Sequence, residues 1–282
     1  MTEITTLREA VAAHVKDGDT VSMEGFTHLI PTAAGHEIIR QGRRDLHLIR
    51  MTPDLIYDQM IGMGCARKLT FSWGGNPGVG SLHRLRDAVE RDWPHPIEVT
   101  EHAHAAMASA YVAGASGLPM GVLRAYKGCD LPKYNDEIRS VTCPFTGEEL
   151  TAVPAIRPDV SFIHAQRADR QGNVLLWGIL GVQKECVMAA RKSIITVEEI
   201  VDDLQAPPNA TILPAWVTSA VVELPGGAHP SYAQDYTRRD NAFYKAWDPI
   251  GRDRQRFLDW MEKHILGTED FAAYRRMIGG EA

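Results

Sequence analysis

Through its first third the chain alternates short apolar runs with stretches whose apolar residues recur at helical spacing, and several of the runs end in glycine-rich loops. That alternation is the grammar of a parallel sheet joined by crossover helices. Residues 6–15 place Leu7, Ala10, Val11, Ala13 and Val15 at helical spacing, and Gly18 suits the break that follows. Residues 20–23 read as a strand, 25–28 as a loop, 31–40 as a helix ending at Gly42, and 46–51 as a second strand. The order repeats with a helix at 56–60, a strand at 68–73, a helix at 81–91 with Ser81 as N-cap, a strand at 97–100 and a helix at 104–113.

The second half is less regular. Residues 128–151 are polar, rich in turn signals, and read as a long surface excursion. Strands are expected at 160–164 and 174–177 with a turn-rich link at 165–173, then a helix at 182–190, strands at 193–197 and 217–224, and an amphipathic helix over 252–277. No repeat, low-complexity tract or clear linker interrupts the chain, so residues 1–282 are expected to form one α/β domain.

Composition narrows the function classes. With 44% hydrophobic and 23% charged residues the chain has ordinary globular composition, and a net charge of −6 gives no electrostatic reason to bind nucleic acid or an anionic membrane. The first residues carry acids among apolar positions and no apolar core of a signal peptide, and no run approaches the ~20 apolar residues of a membrane span. Cys65, Cys129, Cys143 and Cys186 lie far apart without CxxC spacing, as expected of reduced thiols in a cytoplasmic protein.

Three glycine-rich loops directly follow expected strands: Glu24-Gly25-Phe26, Gly74-Gly75-Asn76-Pro77-Gly78 and Pro225-Gly226-Gly227-Ala228-His229-Pro230. In an open parallel sheet, ligands bind outside the carboxyl ends of the strands, where glycines let backbone N–H groups approach closely. Each loop alone also reads as a tight turn; three at equivalent places weigh toward a ligand. None matches a Walker A loop or a dinucleotide fingerprint, and Ser72, followed by Trp73-Gly74, is no nucleophile elbow. Glu101, His102 and His104 follow another expected strand, where they either orient a substrate oxygen or simply begin a helix. Their His–x–His spacing brings no third metal ligand by position.

At these loops the sequence resembles the class I coenzyme A-transferases, above all the α subunits of glutaconate and 3-oxoadipate CoA-transferases. Residues 17–26 are similar to the family's Asp/Asn-Gly, apolar triplet, Gly-Gly-Phe signature, and Trp73-Gly74-Gly75-Asn76-Pro77-Gly78-Val79 to its aromatic-x-x-Asn-x-Gly-Val loop. The run from Pro154 to Val174, with Thr196 to Val201 and Gly227 to Ser231, resembles the glutaconate α subunits. Residues 24–31 resemble most the bacterial 3-oxoadipate enzymes of aromatic-compound degradation, with two departures: Glu24 replaces the first signature glycine, and Pro31 comes one residue early.

The resemblance implies an open, mostly parallel sheet with flanking helices. It also implies transfer of CoA from succinyl-CoA to a keto dicarboxylic acid such as 3-oxoadipate through a glutamyl-CoA thioester, with coenzyme A thioesters as substrates and no cofactor or metal. The nucleophilic glutamate is expected on a β-type partner subunit, because its motif is not found here. This chain is then expected to supply the acid-binding side and part of an oxyanion site through Gly25, Phe26, Gly74, Gly75, Asn76, Glu101 and His102. Two other readings stay open: a thioester hydrolase of the same fold, with Glu24 or Glu101 assisting water, and a non-catalytic subunit that binds CoA esters.

Overall fold

The computed structural model describes residues 2–76 and 79–279. The first half follows the expected order: β1 (Glu3–Ile4), α1 (Leu7–His14), β2 (Thr20–Met23), α2 (Thr32–Arg40), β3 (Leu46–Ile49), α3 (Leu55–Gly62), β4 (Ala66–Phe71), α4 (His83–Arg91), β5 (Glu98–Glu101) and α5 (His104–Ala115). Local chemistry sets the boundaries. Thr6 and Glu9 form a reciprocal capping box on α1. The start of α4 is capped from outside, not by Ser81: Asp58 on α3 accepts from the backbone N–H of Arg84 and Leu85, at 2.8 and 2.9 Å.

The excursion at 128–151 is more structured than its composition implies. β6 (Met120–Leu123), β7 (Arg139–Thr142) and β8 (Glu149–Pro154) form a small antiparallel sheet in the order β6-β8-β7. Then come β9 (Val160–Asp169), β10 (Val174–Leu176), α6 (Gln183–Ala189), β11 (Lys192–Val201), β12 (Thr211–Leu213) and β13 (Ala220–Glu223). The expected link at 165–173 is mostly strand. β9 runs to Asp169, and only the next few residues turn, held by the Asp169 carboxylate accepting from the N–H groups of Gln171 and Asn173. Polar residues find partners across the sheet: Gln166, in the expected link, donates to the Trp177 carbonyl, and His164, at the end of the expected strand, meets Thr196 and Glu198. The expected tail helix is broken into α7 (Asn241–Arg252), α8 (Arg254–Met261), a π-helical turn (Glu262–Leu266) and α9 (Phe271–Met277). Asp253 and Asp270 stop continuity by capping new helices with their side chains.

The main sheet runs β1-β13-β11-β9-β2-β3-β4-β5, every neighbouring pair parallel, with β10 and β12 added antiparallel off β9. The chain lays β2 to β5 outward in one direction, then returns and lays β9, β11 and β13 outward in the other. The order reverses between β2 and β9, which makes their carboxyl ends the natural crevice of the fold. Strands in the middle of such a sheet are covered on both faces. Accordingly Phe162 and Ile194 bury into one apolar cluster while their neighbours Ile163 and Ile195 bury into the opposite one. The first cluster is closed by the C-terminal helices through Trp247, Phe257 and Phe271, and a third cluster lies under α5 around Met107 and Tyr111. All four cysteines are free; Cys65 and Cys186 are buried. Among the described residues no helix is long and apolar enough to cross a membrane.

Gly114 tests the packing of α5. A Cβ there would stand 1.9 Å from the carbonyl oxygen of Ile156. Helix propensity favours Ala over Gly by about 1 kcal/mol, but that backbone clash cannot be relieved by a side-chain rotation. Gly114→Ala is therefore expected to destabilise by about 2 kcal/mol or more in chemical denaturation. An unchanged or raised midpoint would contradict the close approach of α5 to the segment that follows β8.

Candidate functional site

Where β2, β3 and β4 end, their loops enclose a cavity of about 290 Å³. Phe26, Thr27 and Ile30 come from the loop after β2, and Arg50, Thr52 and Asp54 from the segment after β3. Trp73 follows β4, His104 opens α5, and Arg239 and Tyr244 reach in from before and within α7. Helices α2, α3 and α5 all start at this cavity, so their positive dipole ends favour a negative ligand.

The floor is an ion pair. Arg50 is fully buried, and its Nη1 and Nη2 donate to the two carboxylate oxygens of Asp54 at 2.8 and 3.3 Å. Nη2 also donates to the Gly25 carbonyl at 2.8 Å, so one guanidinium joins the loops after β2 and β3. Burial pushes the Asp54 carboxyl up, opposed by Arg50. Beneath this pair lies Glu24, 3% exposed. Its Oε1 accepts from the Met51 N–H at 2.9 Å and from the Tyr111 hydroxyl at 2.8 Å. Burial pushes its carboxyl up to about 7, against the opposing pull of Arg50.

The loop after β2 folds tightly onto itself. A Cβ on Gly25 would lie 2.7 Å from the Leu29 carbonyl oxygen and 2.8 Å from Ile30 Cα, so the loop's own backbone requires this glycine. Thr27 and Leu29 both adopt positive φ, at 59° and 54°, an unfavourable conformation that the surroundings must hold. The segment after the third glycine-rich loop holds it. Ser231 Oγ donates to the Thr27 carbonyl at 2.8 Å, the Leu29 N–H donates to Tyr232 O at 2.9 Å, and the His28 ring bridges Ile179 O and the Gln234 N–H.

At the rim, Phe26 is 37% and Trp73 45% exposed. A Cβ on Gly75 would strike the Trp73 ring at 2.7 Å, so Gly75 lets that ring lie over its own loop. Ser72 Oγ donates its single proton to the Met51 carbonyl at 2.7 Å, so His104 Nδ1, 3.0 Å away, must be the donor to Ser72. A larger cavity, of about 620 Å³, lies at the far edge of the sheet. It is lined by Glu37, Glu223, Glu269 and Asp270 against Arg8 and Arg170, an acidic excess that suits an acyl anion poorly. Among the described residues no group of His, Cys, Asp and Glu is arranged to hold a metal ion.

Comparison with known proteins agrees with this architecture. The family described as "Coenzyme A transferase" matches residues 4–224. The chain belongs to the coenzyme A transferase family. It is 68% identical to one subunit of the 3-oxoadipate CoA-transferase of Pseudomonas knackmussii, over 99% of both chains. The crystal structure of glutaconate coenzyme A-transferase from Acidaminococcus fermentans superposes with a TM-score of 0.91 at 28% identity, covering 99% of this chain and 93% of that one. The cholesterol ring-cleaving hydrolase IpdA subunit of Rhodococcus jostii is 29% identical, over 94% of this chain and 92% of its own.

Of the residues expected at a transferase site, Phe26 lines the cavity, Gly25 supplies the carbonyl that receives Arg50, and Gly74 and Gly75 follow Trp73 directly. Asn76 is buried, its N–H on the Gly80 carbonyl at 3.1 Å and its side-chain Oδ1 without a protein partner among the described residues; Pro77 and Gly78 lie outside the described residues. Glu101 and His102 do not line the cavity that holds Phe26. His102 turns under α5 into a separate cavity of about 240 Å³ with His47, its Nε2 3.3 Å from Glu137. Glu101 faces a shallow cleft beside Lys68 and Tyr134. Glu24, the other expected acid, sits below the floor and not in the cavity. The residue of the histidine pair that reaches the cavity is His104, the first residue of α5, while His102, just past β5, still donates its N–H to the Phe71 carbonyl as a strand residue would. Arg50, Asp54, Arg239 and Tyr244 had no sequence signal of their own.

Glu24 gives a pH test. Its folded value lies above the ordinary 4.5, so folding favours the neutral acid. That contribution is complete below about 4.5 and lost as pH rises through about 7. Glu24→Gln cannot ionise, so its unfolding free energy should gain on the parent by roughly 2 kcal/mol between pH 5 and pH 8. Parallel stability curves would show that Glu24 does not titrate in this window.

Proposed function

We propose that this chain is the α-type half of a two-subunit CoA-transferase that moves CoA from succinyl-CoA to 3-oxoadipate in the cytoplasm, all of it acting as one domain. The observation that carries the reading is the 68% identity, over 99% of both chains, to a subunit of a 3-oxoadipate CoA-transferase. The cavity at the strand ends supports it. A reaction between carboxylates and their thioesters needs a pocket that accepts an anionic acyl group, and this one combines three helix starts, two arginines and apolar walls.

In this reading a glutamate of the β-type partner attacks the succinyl-CoA carbonyl and expels the CoA thiolate, leaving a mixed anhydride; the thiolate then attacks the glutamyl carbonyl, releasing succinate and leaving a glutamyl-CoA thioester, and the same two steps run in reverse with 3-oxoadipate. The present chain contributes orientation. Phe26 and Trp73 keep water from the acyl group, and the Arg50–Asp54 pair fixes the loops on which they stand. Glu24 lies below the cavity with its carboxylate taken up by Met51 and Tyr111, which favours transfer over hydrolysis assisted by Glu24.

The test is to purify the chain alone, the β-type chain alone and the two together. The pair is expected to form 3-oxoadipyl-CoA from succinyl-CoA and 3-oxoadipate, and neither chain alone to do so. Release of free CoA with no acceptor present would replace the transferase with a hydrolase. A pair that binds CoA esters without turnover would leave only a binding function.

A further inference from the structure

The mouth and the closed end of the acyl cavity are different surfaces. Phe26, Trp73 and His104 stand exposed at its rim. Ile30, Arg50, Asp54 and Tyr244 line the same cavity, yet none of them is more than 3% exposed. An acyl chain entering past the rim therefore ends against these four. Three are engaged with partners. Arg50 and Asp54 bond each other, and the Tyr244 ring has its centroid 4.7 Å from the Arg239 guanidinium carbon, with its hydroxyl also bonded to Arg239. Ile30 is the aliphatic member, and its side chain contributes volume alone.

Ile30 cannot step aside. Leu29 before it holds φ at 54°, with its N–H on the Tyr232 carbonyl at 2.9 Å. Pro31 after it restricts the Ile30 backbone to extended conformations, and the Ile30 carbonyl accepts from the Thr32 N–H at 2.8 Å. Gly25 presses so close that a Cβ there would lie 2.8 Å from Ile30 Cα. The side chain itself is β-branched and stiff at its first torsion. The cavity, about 290 Å³, thus has a fixed depth. Its volume lies near the lower bound of small-molecule sites, with room for a short open-chain acyl group.

We propose that Ile30 sets the maximum length of the acyl group that the enzyme transfers. This rests on the transferase reading above. In a ping-pong exchange the donor and acceptor acids occupy one cavity in turn, so a single wall limits both. A ceiling on length admits the four-carbon succinyl group and the six-carbon 3-oxoadipate and turns away longer homologues. One methylene more or less in an apolar pocket changes kcat/KM by roughly ten- to two-hundredfold. Against a wall that cannot yield, a surplus methylene counts as a clash rather than a gain.

The test uses the assembled two-subunit protein, as the parent and with Ile30→Ala, Ile30→Val or Ile30→Phe, with assembly and melting temperature checked first. The readout is kcat/KM for 3-oxo dicarboxylic acids of six and eight carbons. The parent should prefer the six-carbon acid by tenfold or more. Ile30→Ala should cut that ratio by about tenfold, through a lower KM for the longer acid. Ile30→Val should move it the same way by less, and it decides the matter if Ile30→Ala does not assemble. Ile30→Phe should act in the opposite sense, weakening use of the six-carbon acid more than use of succinyl-CoA. Calorimetric binding of adipate against suberate repeats the comparison without turnover. Equal acceptance of both lengths by the parent would overturn the assignment. So would equal losses on both lengths in Ile30→Ala and Ile30→Val, which would mark Ile30 as a packing residue. Failure of the parent pair to move CoA at all, with the preference for adipate over suberate intact, would overturn the transferase reading and leave the length limit standing.

Discussion

The bonds between Arg50, Asp54 and the Gly25 carbonyl hold the crevice together. An ion pair withdrawn from water is costly unless its hydrogen-bonding groups are satisfied, and breaking one partner of such a pair is worse than never having had it. Here the cost is tolerated at the one point where loops from two adjacent strands must keep a fixed separation. Glu24 repeats the device one layer deeper, taking the Met51 N–H that follows β3 and the Tyr111 hydroxyl from α5. A glycine at position 24 would remove that second brace, so the departure from the family signature has a structural explanation in this chain.

Much of the architecture was legible in the sequence, for a simple reason. The first half alternates strand and helix with short connections, and its apolar spacing, capping residues and loop glycines agree with each other at nearly every step. Legibility failed where partners are distant. β9 carries Gln166 in its buried middle, within a run that reads as loop until the Trp177 carbonyl is beside it. The tail reads as one amphipathic helix, yet Asp253 and Asp270 restart it through side-chain caps, the second after Gly267 closes the π-helical turn.

The candidate site divides the same way. Phe26 and the Trp73 loop were visible as loops at strand ends. Arg50 ends an apolar run and Asp54 opens a helix, and neither position looks special until the chain folds them together. Arg239 and Tyr244 come from the far end of the sequence, where no local pattern points back to β2. With the two histidines, a shift of two positions across a strand-to-helix junction moves a side chain from one cavity to another, and residue type alone does not resolve that.

The strained loop after β2 is clamped by residues 231–234, and the cavity wall is finished by Arg239 and Tyr244. The crevice is thus begun by the earliest part of the chain and completed by nearly the last. During synthesis the amino-terminal strands carry an unfinished binding surface until the final helices leave the ribosome. A truncated or stalled product would therefore present a sheet without a working pocket, and acyl binding would report on completion of the chain as well as on its chemistry.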